Sequence, residues 1–118
     1  MNSRDKLSRI EKELHFSLPE IYKRFYDRCS YSIPVNLVGT DWNTYKVNLN
    51  EGAVELLKDD GADNFLESDD FVFMMHQGYM FWYFKSNGDP DPIVYAYKEN
   101  NLFPEERERF SEFIKQFF

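Results

Sequence analysis

Cysteine is almost missing from this chain: Cys29 is the only one in 118 residues. No disulfide can close within it, which fits a reducing compartment, and a cytoplasmic protein is the expectation. Histidine is nearly as scarce, with His15 and His76 alone. Neither H-x-x-x-H nor C-x-x-C occurs, and a transition-metal site needs convergent ligands at such spacings, so no metal and no cofactor is expected. Long apolar runs are lacking too. No segment is suited to span a bilayer, and Met1 to Lys6 lead into no apolar signal-peptide core, so no membrane partner is expected. Positive charge is in deficit, with 14 Lys and Arg against 21 Asp and Glu, a formal net charge of −7 and a pI near 4.8. Phosphate backbones repel such a chain, which argues against nucleic acid as a partner.

Aromatic residues are plentiful, at 19% of the chain within a hydrophobic share of 42%. That excludes disorder and requires a core built of Phe and Tyr. The length predicts one domain over 1–118, large enough to bury a core without staples. Charge is unevenly spread. Residues 1–30 hold seven basic and five acidic residues, whereas 31–100 hold four basic and twelve acidic, so the negative charge belongs to the middle of the chain.

Periodicity predicts a helix over 4–14, with Leu7, Ile10 and Leu14 on one face. A second helix follows, with Ser17 and Glu20 spaced as a capping box, Pro19 in the first turn, and Leu18, Ile21, Tyr22, Phe25 and Cys29 as its apolar stripe. Short strands are predicted at 35–38 and 44–49, the latter alternating cleanly. Asn50 is placed to cap a short helix through Lys58 that stops at Gly61. From Phe71 to Tyr97, aromatic and β-branched runs broken by Gln77-Gly78 and by Gly88-Asp-Pro-Asp-Pro92 predict three strands. In the first of these, Phe71, Phe73 and Met75 are expected on one face and Val72, Met74 and His76 on the other. A last helix is expected from Pro104, burying Phe103, Phe110, Phe113, Ile114 and Phe117. The order ααββαβββα indicates an α+β domain with a central, mostly antiparallel sheet of about five strands, flanked by N-terminal and C-terminal helices. Leu18, Ile21, Phe25, Phe81, Val94, Phe110 and Phe113 are expected to be buried together.

Three landmarks carry a resemblance: Leu18-Pro-Glu-Ile-Tyr-Lys-Arg-Phe25 opening the second helix, Phe71 to Phe84 followed by Asp91-Pro-Ile-Val-Tyr-Ala-Tyr97, and Phe110-Ser-Glu-Phe-Ile114. In this order and spacing, over nearly the whole chain, the sequence resembles the SUKH superfamily, Smi/Knr-like branch. Bacterial members are mostly immunity proteins encoded beside polymorphic toxins, and fungal members are cell-wall-assembly regulators. The resemblance implies an immunity protein that neutralises a toxin by direct binding or, alternatively, an intracellular regulatory or scaffold module with no toxin partner. It implies no shared catalytic residues. Where family members often place an Asn-Gly-Gly-like turn after the second helix, this chain has Arg28-Cys-Ser-Tyr-Ser-Ile-Pro34.

Individual residues point the same way. His76 has no second ligand or base at a useful spacing and reads as a rim or partly buried histidine. Cys29 falls on an apolar helix face and reads as a small buried hydrophobe. No enzyme is expected. Asp59, Asp60, Asp63, Glu67, Asp69 and Asp70 form the densest charge run. It lacks the D-x-[DN]-x-[DN]-G calcium spacing, and reads either as a solvated loop or as a docking surface for a basic toxin domain or other basic protein. Asp89 and Asp91 extend it at a rigid loop. Tyr79, Trp82, Tyr95 and Tyr97 are candidate contact residues or, equally, core. Trp82 and Tyr83 occupy opposite faces of one strand and cannot both meet one helix layer.

Overall fold

The computed structural model describes residues 3–37, 40–41, 49–76, 79–101 and 103–118. Helices α1 (Ser3–Leu14) and α2 (Glu20–Tyr31) lead through a 3-10 turn (Val35–Leu37) to a two-residue strand β1 (Thr40–Asp41). Helix α3 (Leu49–Asp59) precedes β2 (Asp70–His76), β3 (Met80–Lys85), β4 (Ile93–Lys98) and β5 (Glu105–Arg109). A short helix α4 (Phe110–Phe113) and a 3-10 turn (Ile114–Phe117) follow. The five strands form one antiparallel sheet in chain order, β1-β2-β3-β4-β5. The class is α+β, with helices at both ends of the chain.

The aromatic strands pair as their alternation requires. Phe71 faces Phe84, Val72 faces Tyr83, and Phe81 faces Tyr97. A register shift between Val72 and Met74 breaks the alternation in β2. Phe71, Phe73 and Met74 therefore share one side, and Val72 and Met75 the other. This corrects the expectation that Met75 lies with Phe73, and Met74 and His76 with Val72; His76 shares the Met74 side.

Each face of the sheet has its own core. On the first, α1, α2 and α4 bury Leu7, Leu18, Phe25, Phe84, Val94, Phe110 and Phe113. On the second, α3 and the loop after it bury Leu49, Leu57, Phe81 and Tyr97. Phe81 thus does not join the expected cluster: it sits on the opposite face, with Phe65 at 6.2 Å and Tyr97 at 5.4 Å between ring centres. Ile21 is only half-buried against the first core.

Local chemistry explains the other departures. No side chain caps α2; the Pro19 carbonyl accepts the amides of Tyr22 and Lys23 at 3.1 and 3.2 Å. Glu20 pairs with Arg4 of α1 at 2.9 Å instead of closing a capping box. Asn50 is not a cap either. It lies in the first turn of α3, where its side-chain amide donates to the Asp70 carbonyl (2.7 Å) and accepts from the Val72 amide (2.9 Å). It therefore pairs with β2 much as a neighbouring strand would. Gly61, at φ 71°, ends α3 as predicted, with Gly61 N–H bonded to Lys58 and Ala62 N–H to Leu57, a Schellman close.

Residues 35–37 form a 3-10 turn, not a strand. The expected strand at 44–49 lies outside the described residues except for Leu49, which opens α3, and the Gln77-Gly78 turn and Val38 lie outside them too. The largest correction concerns 105–109. These residues form an edge strand and α4 begins only at Phe110, leaving Phe103 76% exposed. Glu-Glu-Arg-Glu-Arg offers a helix no apolar face to bury, whereas an edge strand exposed on both sides needs none, and charged edges resist further pairing.

Candidate functional site

On the first face the helices cover only part of the sheet. Toward the β2–β3 turn, the same side of β2 and β3 carries His76, Met80 and Trp82, all half-buried. This stretch is the floor of an open groove of about 330 Å³. One wall is the 3-10 turn holding Asn36 and Leu37, and the other is Phe113, Gln116 and Phe117. The walls are tied together, because the Asn36 amide donates to the Gln116 carbonyl at 2.8 Å. Thr40 and Arg107 line the ends from β1 and β5. Thr40 Oγ1 and His76 Nδ1 lie 3.0 Å apart in hydrogen-bond contact. Arg107 reaches Glu105 at 3.4 Å and Glu108 at 3.9 Å, both exposed neighbours on its own strand.

The sequence-derived candidates do not converge. Trp82 is in the groove. Tyr79 stands at the end of β3, edge-on to His76 at 5.5 Å. Tyr95 is on the opposite face, half-buried and stacked on Tyr83 at 5.2 Å. Tyr97 is fully buried there, and its hydroxyl donates to the Asp60 carboxylate. That bond, with a second from the Asn100 amide, holds the Asp60 carboxyl below its ordinary range.

Much of the acidic run is engaged inside the fold. Asp70 is 2% exposed and receives Lys85 Nζ at 3.0 Å and the Glu67 amide at 2.8 Å. Burial pushes its carboxyl up, although both donors pull the other way. Lys85 also meets Glu67 at 2.9 Å and Asp69 at 3.6 Å. Burial alone lowers its ammonium, but these carboxylates outweigh it and the net shift is upward. Asp59 and Asp63 remain exposed. Asp91 caps the last helix, accepting Ser111 N–H at 2.9 Å and the Ser111 hydroxyl at 2.6 Å, and Asp89 lies 3.6 Å from Arg109. Sequence reasoning therefore missed most of the groove. Arg107 lay in a segment read as helix, and no periodic signal marks Asn36, Thr40 or Gln116.

Cys29 is fully buried, and burial pushes its thiol up to about 11, so it stays protonated at neutral pH. Among the described residues no His, Cys, Asp and Glu side chains group as a metal site, and no helix is long and apolar enough to cross a membrane.

A model of the SMI1 / KNR4 family (SUKH-1) matches residues 1–116. The chain belongs to this family. No curated protein and no solved structure matches it. In SMI1/KNR4 terms, the Leu18–Phe25 landmark supplies α2 of the first core, and Phe71–Phe84 supplies the strands that present Trp82 and Met80. The Phe110–Ile114 landmark supplies the Phe113 wall of the groove.

Proposed function

We propose that this SMI1/KNR4-family chain is a cytoplasmic immunity protein that neutralises a toxin by direct, stoichiometric binding, with no catalytic step of its own. The observation that carries this reading is the groove: a sheet face otherwise sealed by helices is left open where Trp82 and Met80 stand half-exposed. Tryptophan buries large area at little entropic cost and is enriched among residues that dominate binding. The net charge of −7 favours fast encounter with a basic toxin domain. Within the acidic run, Asp59 and Asp63 are exposed on the other side of the sheet and placed to act in that way, whereas Asp70 is committed to Lys85.

The test is co-expression with the toxin domain encoded next to this gene. Growth rescue together with a one-to-one complex on gel filtration supports the reading. A neighbouring toxin that the chain neither binds nor blocks, or no such toxin gene, overturns it and favours the regulatory or scaffold module. Within a complex, Asp59→Asn/Asp63→Asn is expected to slow association, and Trp82→Ala to speed dissociation, as read by surface-based kinetics.

A further inference from the structure

The groove has a chemical bias opposite to that of the whole protein. The chain carries 21 carboxylate side chains, yet none lines the groove; among the described residues its ionisable lining groups are Arg107 and His76. Arg107 is not locked in place. Its contacts with Glu105 and Glu108 are long, exposed and made through Nη1 and Nε, leaving Nη2 outside both pairs. Exposed ion pairs of this kind are weak, whereas a guanidinium binds an incoming carboxylate best through two parallel hydrogen bonds. With His76 Nδ1 in contact with Thr40, its Nε2 is the nitrogen left for a ligand.

The remaining chemistry suits a peptide. Gln116 donates through Nε2 to the Phe113 carbonyl at 2.9 Å, and Asn36 donates through Nδ2 to the Gln116 carbonyl. Both side-chain amide oxygens stay available to accept backbone N–H groups. The floor of Trp82, Met80 and Met74 and the walls of Phe113 and Phe117 are apolar and partly soft, since methionine repacks around varied shapes. A volume of about 330 Å³ holds one or two large side chains, not a folded element. Beside the wall, Val35 is 90% exposed and extends the apolar surface outward.

We propose that the groove receives an acidic segment of the protein partner, with a large apolar side chain seated on Trp82 and Met80 and an adjacent carboxylate on Arg107. This rests on the reading that the chain acts by binding protein, and it adds which chemistry the groove selects. Exposed acids on one side of the sheet and the Arg107 groove on the other would then read two differently charged parts of one partner.

The test uses the full chain and a random heptapeptide phage library, with counter-selection on the Trp82→Ala protein. Enriched peptides should pair Asp or Glu with a large apolar residue. Titration of the best synthetic peptide should show affinity falling about tenfold in Arg107→Gln, the loss of a charge-assisted hydrogen bond, and falling again in Trp82→Ala. Circular dichroism confirms that both variants fold; if Trp82→Ala does not, Trp82→Phe replaces it. Peptides rich in Lys and Arg, no enrichment, or acidic peptides indifferent to Arg107→Gln would each overturn the proposal. Growth rescue separates the two ideas. Undiminished rescue by Arg107→Gln with no acidic-peptide binding sinks the groove assignment alone, and acidic-peptide binding without any rescue sinks the toxin reading alone.

Discussion

Tyr22 packs its ring against six others: Phe25, Tyr26, Phe71, Phe73, Phe84 and Phe110. The oxygen is buried and has no hydrogen-bond partner among the described residues. Such a group forfeits its water without compensation. Tyr22→Phe is therefore expected to leave stability unchanged or raise it by about 1 kcal/mol in urea unfolding. A clear loss would show that the hydroxyl has a partner. Lys85 is the opposite case. Lys85→Met leaves the Asp70 carboxylate buried without its counter-ion, with the Glu67 amide still donating to it, at a cost of about 3 kcal/mol at pH 7. Asp70 already titrates above the ordinary 3.8, so its ionised form opposes folding. The sign follows: as pH falls through that raised value toward 3.8, the folded state takes up the proton first and the penalty fades. Denaturation of wild type and variant at pH 7 and pH 4 should show the gap narrowing at pH 4. A gap that widens there would contradict this account of Asp70.

Among the elements, β2 shows how a helix side chain can serve a strand's backbone. Among the described residues, β1 pairs with Met75 and His76, and Asn50 serves Asp70 and Val72 from α3. Asn50→Ala is expected to cost about 1 kcal/mol and to speed hydrogen exchange at the Val72 amide. Unchanged exchange there would show that the side chain does not act as a strand. Phe113, 2% exposed, closes the first core from α4, and Phe113→Ala should destabilise by about 3–5 kcal/mol. A loss under about 1 kcal/mol would show that α4 does not seal that core. Strands β2 to β4 were legible because aromatic and β-branched runs lie between Gly and Pro breaks. Strand β5 was not, because its five charged residues carry no hydrophobic period and its pairing is set by β4 alone. The shift at Val72/Met74 was equally invisible, since an inserted residue leaves no mark on composition.

At the scale of the molecule, the family and the α+β architecture could be read from motif order, while the candidate site could be read only in pieces. Trp82 was identifiable because strand alternation forbids it and Tyr83 from sharing a face. The groove around it depends on contacts between residues far apart in sequence, such as Asn36 with Gln116. The acidic run looked like one surface, but packing drew Asp60 to Tyr97 and Asp70 to Lys85 and left Asp59 and Asp63 outside. Steering by the remaining acids predicts that salt weakens association with the proposed toxin, since exposed charges are screened beyond a Debye length of about 8 Å at physiological ionic strength. An association rate that ignores salt would leave those acids as aids to solubility.

The order of synthesis gives the pairing of α2 with α4 a further meaning. Tyr22 and Phe25 emerge early, but Phe110, which they pack against, emerges only after all five strands. The groove is finished later still, because one of its walls is Phe113, Gln116 and Phe117. A nascent or prematurely terminated chain thus holds an unsealed aromatic face and an unfinished groove. Limited proteolysis of a fragment ending at residue 104 should show rapid cleavage throughout α1 and α2, where the longer chain resists. Equal resistance would mean that the first core closes without its last helix.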